Sequence, residues 1–324
     1  MPTPIIDLHC DLLAYLRVDL QKHCPLDPIS NCSIPQLEAG HVRLQTLAMF
    51  TETRPKSHQK FLEQLKAYHQ MLANFSGRIY PITDWNFERE QTHFILAIEN
   101  ASGLLEEGED LSLFRERLTA LDDPVLYVSL TWNEENRFGG GNHSQVGLKR
   151  DGEIALEVLA EKGILIDFSH TSDHLADDIL NYIHKKGLNL KPLASHSNFR
   201  SVFDCPRNLP NTIAKEIALM GGLIGINFIR MFIGDHEEDF LKHLHHGIDL
   251  VGEGALALGG DIFGGIDVSR IAHLKPFFQK NLDTSACYPH FLKLLEKIFS
   301  SEQIKKIAYG NAISMLVKQE LINN

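Results

Sequence analysis

Short apolar runs alternate with amphipathic stretches along almost the whole chain, and this beat sharply limits the folds open to it. The first run leads from Pro4-Ile5-Ile6 into Asp7-Leu8-His9-Cys10-Asp11. Val42 to Phe50, Phe94 to Glu99, Val125 to Leu130, Gly163 to Phe168, Pro192 to Ser195, Gly222 to Phe228 and Ala255 to Gly259 follow. Helical spacing fills most of the gaps. In Ser57 to Phe75, for example, Phe61, Leu62, Leu65, Tyr68, Met71 and Leu72 share a face. Leu111 to Leu121, Asp151 to Lys162, Ser172 to Lys186, Asn211 to Met220 and His236 to Val251 read likewise. The first gap differs: a polar stretch from Gln21 to Ser33 precedes a short helix opened by Ile34-Pro35-Gln36-Leu37. Strands that are apolar nearly throughout are buried on both faces, as parallel sheets require. Eight such βα units predict an α/β fold, a (β/α)₈ TIM barrel. An open doubly wound sheet would want a glycine-rich loop after an early strand. Gly139-Gly140-Gly141 instead lies late, after the fourth run and away from any helix start. With no shift in composition to mark a linker, residues 1–324 are read as a single domain.

Charge and cysteine usage narrow the partners. A net charge of −11 without a long Lys/Arg run argues against nucleic acid. The five cysteines (Cys10, Cys24, Cys32, Cys205, Cys287) are odd in number and lack C-x-x-C spacing, which predicts reduced thiols and a cytoplasmic protein. No basic stretch followed by an apolar one precedes Ile5. The longest apolar run, Ile217 to Ile229, is too short and too rich in glycine to span a bilayer, so no membrane anchor is expected. Several of the 17 histidines must be bystanders; His243, His245 and His246, on an amphipathic helix, are expected to be solvated.

In a barrel of this kind the chemistry sits at the C-terminal ends of the strands. The first run ends in His9 and Asp11, which share a face two residues apart, with Cys10 turned the other way as packing. The third ends in Glu99, the fifth runs into Ser169-His170, the sixth into Ser195-His196-Ser197, and the eighth into Gly260-Asp261. A histidine at one strand end is ordinarily a hydrogen-bonded core residue. Three histidines and three carboxylates meeting at one mouth point instead to a metal centre.

Imidazole and carboxylate donors suit Zn²⁺ better than Ca²⁺ or Mg²⁺, and five or six ligands exceed the needs of one tetrahedral ion. Two zinc ions are therefore expected. The simplest partition gives His9 and Asp11 to one, His170 and His196 to the other, and Glu99 to both as the bridge. A water acidified between the ions would attack a carbonyl. Asp261 would pass the proton to the leaving amine as general acid/base, unless it ligates a metal itself.

These residues carry a resemblance. The segments D-L-H-C-D, A-I-E-N, S-L-T-W-N, I-D-F-S-H-T-S, A-S-H-S, R-N-L-P, G-G-D and Y-G-N-A occur in that order from the first strand to the tail. In this the chain resembles the membrane dipeptidase (renal dipeptidase) family of zinc metallopeptidases, within the amidohydrolase-like superfamily. The resemblance implies a barrel with a two-zinc site that hydrolyses dipeptides. It implies His9, Asp11, Glu99, His170 and His196 as ligands with Glu99 bridging, and Asp261 as the catalytic acid. It further implies that Arg207 holds the substrate's terminal carboxylate, for which a planar guanidinium is suited. A homodimer is also implied.

Two positions depart from the family. Trp132 stands where well-known eukaryotic members have a histidine that contacts the substrate carbonyl. An indole N–H donates one hydrogen bond but carries no charge, so oxyanion stabilisation would pass to the metals or to Asn133, Asn136 or His143. Trp132 and Asn133 are accordingly expected beside the substrate. Phe263 replaces an acidic residue found two places after the catalytic aspartate in many members. Two other readings remain open: an amidohydrolase acting on N-acyl amino acids, and a non-catalytic homologue that binds metal or ligand.

Overall fold

A computed structural model of the chain describes residues 2–19 and 22–323; Gln21, the expected start of the polar stretch, lies outside the described residues. The strands are β1 (Ile5–Cys10), β2 (Val42–Phe50), β3 (Ile79–Pro81), β4 (Thr92–Glu99), β5 (Val125–Ser129), β6 (Leu165–Asp167), β7 (Pro192–Leu193), β8 (Ile224–Ile226) and β9 (Leu256–Leu258). Every strand pairing is parallel, in the order β7-β6-β5-β4-β2-β1-β9-β8. A further parallel bridge, Ala194 to Ile224, joins the two ends of that series. The backbone N–H groups of Ala194 and Gly225 donate across it, to Leu223 O at 2.9 Å and Ala194 O at 2.7 Å. The result is a nearly closed (β/α)₈ barrel, as the apolar runs predict. The short β3, unforeseen in the sequence, pairs with β4 outside the ring.

Burial on both strand faces follows from two shells of side chains. Ile6, Leu8, Leu44, Ile95, Ala97, Tyr127 and Ala257 belong to the smaller core, together with Met315 and Leu316 of the last helix, Asn311–Lys318. Ile5, Val42, Phe94, Leu96, Ile98, Val128 and Ile166 belong to the larger core shared with the surrounding helices. One of these helices, Asp173–Lys186, shows why the local sequence complies. The hydroxyl of Ser172 accepts from Leu175 N at 3.0 Å, a cap worth about 1 kcal/mol. Leu175, Ile179 and Ile183 are buried at helical spacing, and Gly187 ends the helix at φ 62°.

The strand carrying His9 is not regular. On β1, Asp7 aligns with Gln45 and Cys10 with Leu47, so three steps on β1 oppose two on β2. This bulge breaks the alternation. Leu8 belongs to the inner core and Cys10 to the outer one, while His9 joins the mouth. Asp7, which strict alternation would put on the face of His9, instead accepts from the hydroxyl of Tyr288 and from the backbone N–H groups of His9 and Gly260, each at 3.0 Å.

Close strand approach continues on the far side of the mouth. A Cβ at Gly225 or Gly259 would lie 2.0 or 1.8 Å from Ser195 O, so neither position admits a side chain beside His196.

One expectation fails. His243 is fully buried, not solvated: its Nδ1 accepts from Phe199 N at 3.2 Å and its Nε2 lies 3.3 Å from Ile233 O. Its helix, Asp239–Val251, puts Phe240, His243, Leu244 and Gly247 on the inward face. His245 is exposed, and His246 is half-buried with its Nε2 3.1 Å from Asn211 Oδ1.

Candidate metal centre

His9 and Asp11 leave β1, Glu99 closes β4, and His170, His196 and Asp261 follow β6, β7 and β9 within three residues. All six converge at the C-terminal mouth. Three non-glycine residues there take the left-handed backbone region: Asn100 (φ 74°), His170 (φ 68°) and Asp261 (φ 54°). Each such turn costs on the order of 1–3 kcal/mol and is held by its surroundings. Asn100 donates to Thr51 O at 2.8 Å and accepts from Ser102 N at 3.1 Å, while Asp261 N donates to His9 O at 3.1 Å.

The imidazoles are oriented from behind. Nδ1 of His9 lies 2.7 Å from the hydroxyl of Tyr127, which also lies 3.0 Å from Leu8 O. Nδ1 of His170 lies 2.8 Å from Asn133 Oδ1. Nδ1 of His196 lies 2.6 Å from Ser195 Oγ, whose hydroxyl is 2.6 Å from the buried Asp167 Oδ2. Partners on Nδ1 free each Nε2 for the centre and fix the ring plane. The sequence reading missed Tyr127, Ser195 and Asp167 in this role.

At the centre the Nε2 atoms surround Glu99. One carboxylate oxygen, Oε2, lies 3.5 Å from His9 Nε2. The other, Oε1, lies 3.0 Å from His170 Nε2 and 3.9 Å from His196 Nε2. His170 Nε2 and His196 Nε2 are 3.0 Å apart. Asp261 Oδ1 lies 3.7 Å from His9 Nε2, and its Oδ2 accepts from Asn227 Nδ2 at 2.8 Å. Candidate ligand atoms of His9, Glu99 and His196 all fall within 4.8 Å of one another, as do those of His9, Asp11 and Asp261.

The charge balance of this cluster calls for a cation. Burial pulls the His9 imidazole down, but the negative charges of Glu99, Asp11 and Asp261 outweigh it and push it up to about 10. Burial, and then repulsion by Glu99, raise Asp11 well above the usual carboxylate range. Burial pushes Asp261 up to about 6 against the pull of His9. Glu99 is held below the usual range: burial raises it, and His9 and His170 overcome that. Burial brings His170 down to about 4 and lowers His196 well below its ordinary value, leaving neutral rings with free lone pairs. The buried His9 Nε2 has no hydrogen-bond partner among the described residues. An unpartnered nitrogen, two neutral imidazoles and three carboxylates fit a divalent cation, which would replace the proton that His9 otherwise attracts.

Arg207 stands beside this cluster. Its Nη1 donates to Ser197 Oγ at 2.8 Å and its Nη2 to His196 O at 2.9 Å, while the buried Nε has no partner among the described residues. Burial lowers its pKa despite the favourable charges of Asp261, Asp167 and Glu99. A cavity of about 580 Å³ opens over the cluster; Asp11, Glu99, Trp132, Asn133, His143, His170, Arg207 and Asp261 line it. That size suits a small-molecule ligand.

The positions around Trp132 separate. The indole packs edge-on to Phe50 with centroids 5.0 Å apart and lies 6.0 Å from the His170 ring. Asn133 faces His170, and His143 lies at the exposed rim near Glu134. Asn136 does not reach the cavity lining. Its amide nitrogen donates to Leu130 O at 2.7 Å and Asn100 Oδ1 at 3.0 Å, and its Oδ1 accepts from Phe138 N at 2.8 Å. Asn136 is therefore not the oxyanion donor, because its polar atoms are taken up by Asn100 and by the backbone of Leu130 and Phe138.

Among the described residues, no helix is long and apolar enough to cross a membrane. The chain is 26% identical to an uncharacterized dipeptidase of Schizosaccharomyces pombe, over 96% of this chain and 79% of that protein. In structure it is similar to a metallopeptidase of Rhodobacter sphaeroides liganded with a phosphinate mimic of the dipeptide L-Ala-D-Ala. The TM-score is 0.84 at 17% identity, covering 98% of this chain and 100% of that one. An amidohydrolase of Pseudomonas aeruginosa gives a TM-score of 0.77 at 17% identity, covering 98% of this chain and 96% of that one. At such identities these two likenesses speak for the fold. The model of the family Membrane dipeptidase (Peptidase family M19) matches residues 1–324. The chain belongs to that family and is a metal-dependent dipeptidase.

Proposed function

We propose that this dipeptidase hydrolyses free dipeptides at a centre of two zinc ions bridged by Glu99. One observation carries the reading: the two oxygens of Glu99 face different histidines, Oε2 towards His9 and Oε1 towards His170 and His196. His9 and Asp11 would hold one ion, and His170 and His196 the other. When bound, the ions acidify a water molecule and polarise the scissile carbonyl.

The chain's own groups account for the rest. Arg207, with its Nη1 and Nη2 fastened to Ser197 and His196 and its buried Nε without a partner among the described residues, fits the terminal carboxylate of a dipeptide. Asp261, steadied by Asn227, stands 3.7 Å from His9 Nε2, where a proton leaving the attacking water can be taken up. As the C–N bond breaks and the water oxygen stays on the carbonyl carbon, that proton passes to the leaving amine. Trp132 and Asn133 wall the cavity beside His170, Asn133 holding the ring. The free thiols support a reducing, cytoplasmic setting.

The test compares Ala-Ala with N-acetyl-alanine on zinc-loaded protein. Turnover of Ala-Ala supports the reading, and turnover of the blocked compound alone overturns it. Arg207→Ala is expected to raise KM for dipeptides at least about tenfold, in line with a lost charged hydrogen bond. An unchanged KM would remove the clamp.

A further inference from the structure

The cavity is far more apolar than hydrolysis of a small, zwitterionic dipeptide needs. On one arm, Met231 and Phe232 follow β8 and line it; on the other, Phe263, Ile271, Leu274 and Phe277 follow β9 and line it as well. The two arms form one wall. Ile229 bridges to Phe278 and Arg230 N donates to Phe277 O at 2.7 Å, while Phe263 packs on Phe277 and Phe278 with centroids 5.2 and 5.3 Å apart. Asp267 also lines this arm, but it is exposed and accepts from Ser269 N at 3.0 Å within its own turn.

The position of this wall relative to Arg207 gives it a direction. The Arg207 guanidinium carbon lies 5.7 Å from the centroid of the Phe232 ring. A dipeptide whose carboxylate sits on Arg207 therefore turns its second side chain towards Phe232. Trp132 lies by His170 instead, with Phe50 packed on its indole.

We infer that the enzyme selects dipeptides whose C-terminal residue bears a bulky apolar or aromatic side chain, received between Phe232 and Phe263. This rests on the proposed carboxylate clamp at Arg207. A phenyl or isobutyl group covers apolar surface that a glycine or aspartate leaves wet, and each buried carbon favours the complex.

The experiment is a series Ala-Gly, Ala-Ala, Ala-Leu, Ala-Phe and Ala-Asp on zinc-loaded enzyme, with both configurations of the second residue. From Ala-Gly to the better Ala-Phe isomer, kcat/KM is expected to rise about 10–100-fold, with Ala-Asp at the bottom. Phe232→Ala is expected to shrink the Ala-Phe to Ala-Gly ratio about tenfold. A flat series, or an equal preference when only the first residue is varied from Gly-Ala to Phe-Ala, overturns the subsite. Failure to cut any dipeptide overturns the proposed function instead. Dissociation constants for the same series, by calorimetry, then decide the subsite: the same rank order sustains it and equal values overturn it.

Discussion

Replacing Asp261 by asparagine is expected to leave the metal content of the purified protein unchanged and to lower kcat by about 10²–10⁴-fold, the range of a lost general acid/base. The substitution is nearly isosteric, and the amide can keep a partner in Asn227, which lies 2.8 Å from Asp261 Oδ2. What it removes is the capacity to take a proton and return it. Burial already favours the protonated form of this carboxyl, pushed up to about 6. The readout has two parts, metal analysis and turnover of Ala-Ala. Loss of metal would make Asp261 a ligand, a role its grouping with His9 and Asp11 also allows. Retained metal with full turnover would remove it from the reaction.

Replacing Glu99 by alanine is expected to act more broadly. The separate oxygens of Glu99 address His9 on one side and His170 on the other, so its loss should release at least one ion and lower turnover by about 10³-fold or more. Equilibrium dialysis against Zn²⁺ reads the first effect independently of activity. A Glu99→Ala protein that binds as much metal as the parent would show that the histidines suffice and would remove the bridge.

Much of the candidate site was legible because apolar strands end on residues that have no business in an apolar core. Glu99 after Phe94-Ile95-Leu96-Ala97-Ile98 and His196 after Leu193-Ala194-Ser195 are of that kind. Asn227 directly follows β8 in the same way and could have been found by the same signal; it holds Asp261. Tyr127 could not, because an aromatic residue within a strand reads as packing, and only the folded barrel brings its hydroxyl to His9. The bulge in β1 was equally hidden. Simple alternation places His9 and Asp11 on one face, yet alternation alone would put Asp7 there too. The shift depends on pairing with β2 and on Tyr288 near the other end of the chain. β3 is three residues long and ends in proline, too little pattern to detect. His243 was a different failure: its spacing with Phe240, Leu244 and Gly247 marks the buried face, and that periodicity outweighs the polarity of the residue.

The most direct test of the two-metal reading is a crystal structure of the zinc-loaded protein with anomalous data at the zinc edge. Two peaks are predicted, one between Glu99 Oε2 and His9 with Asp11, the other between Glu99 Oε1 and the pair His170 and His196. A single peak, or a second ion that Glu99 does not touch, would contradict it.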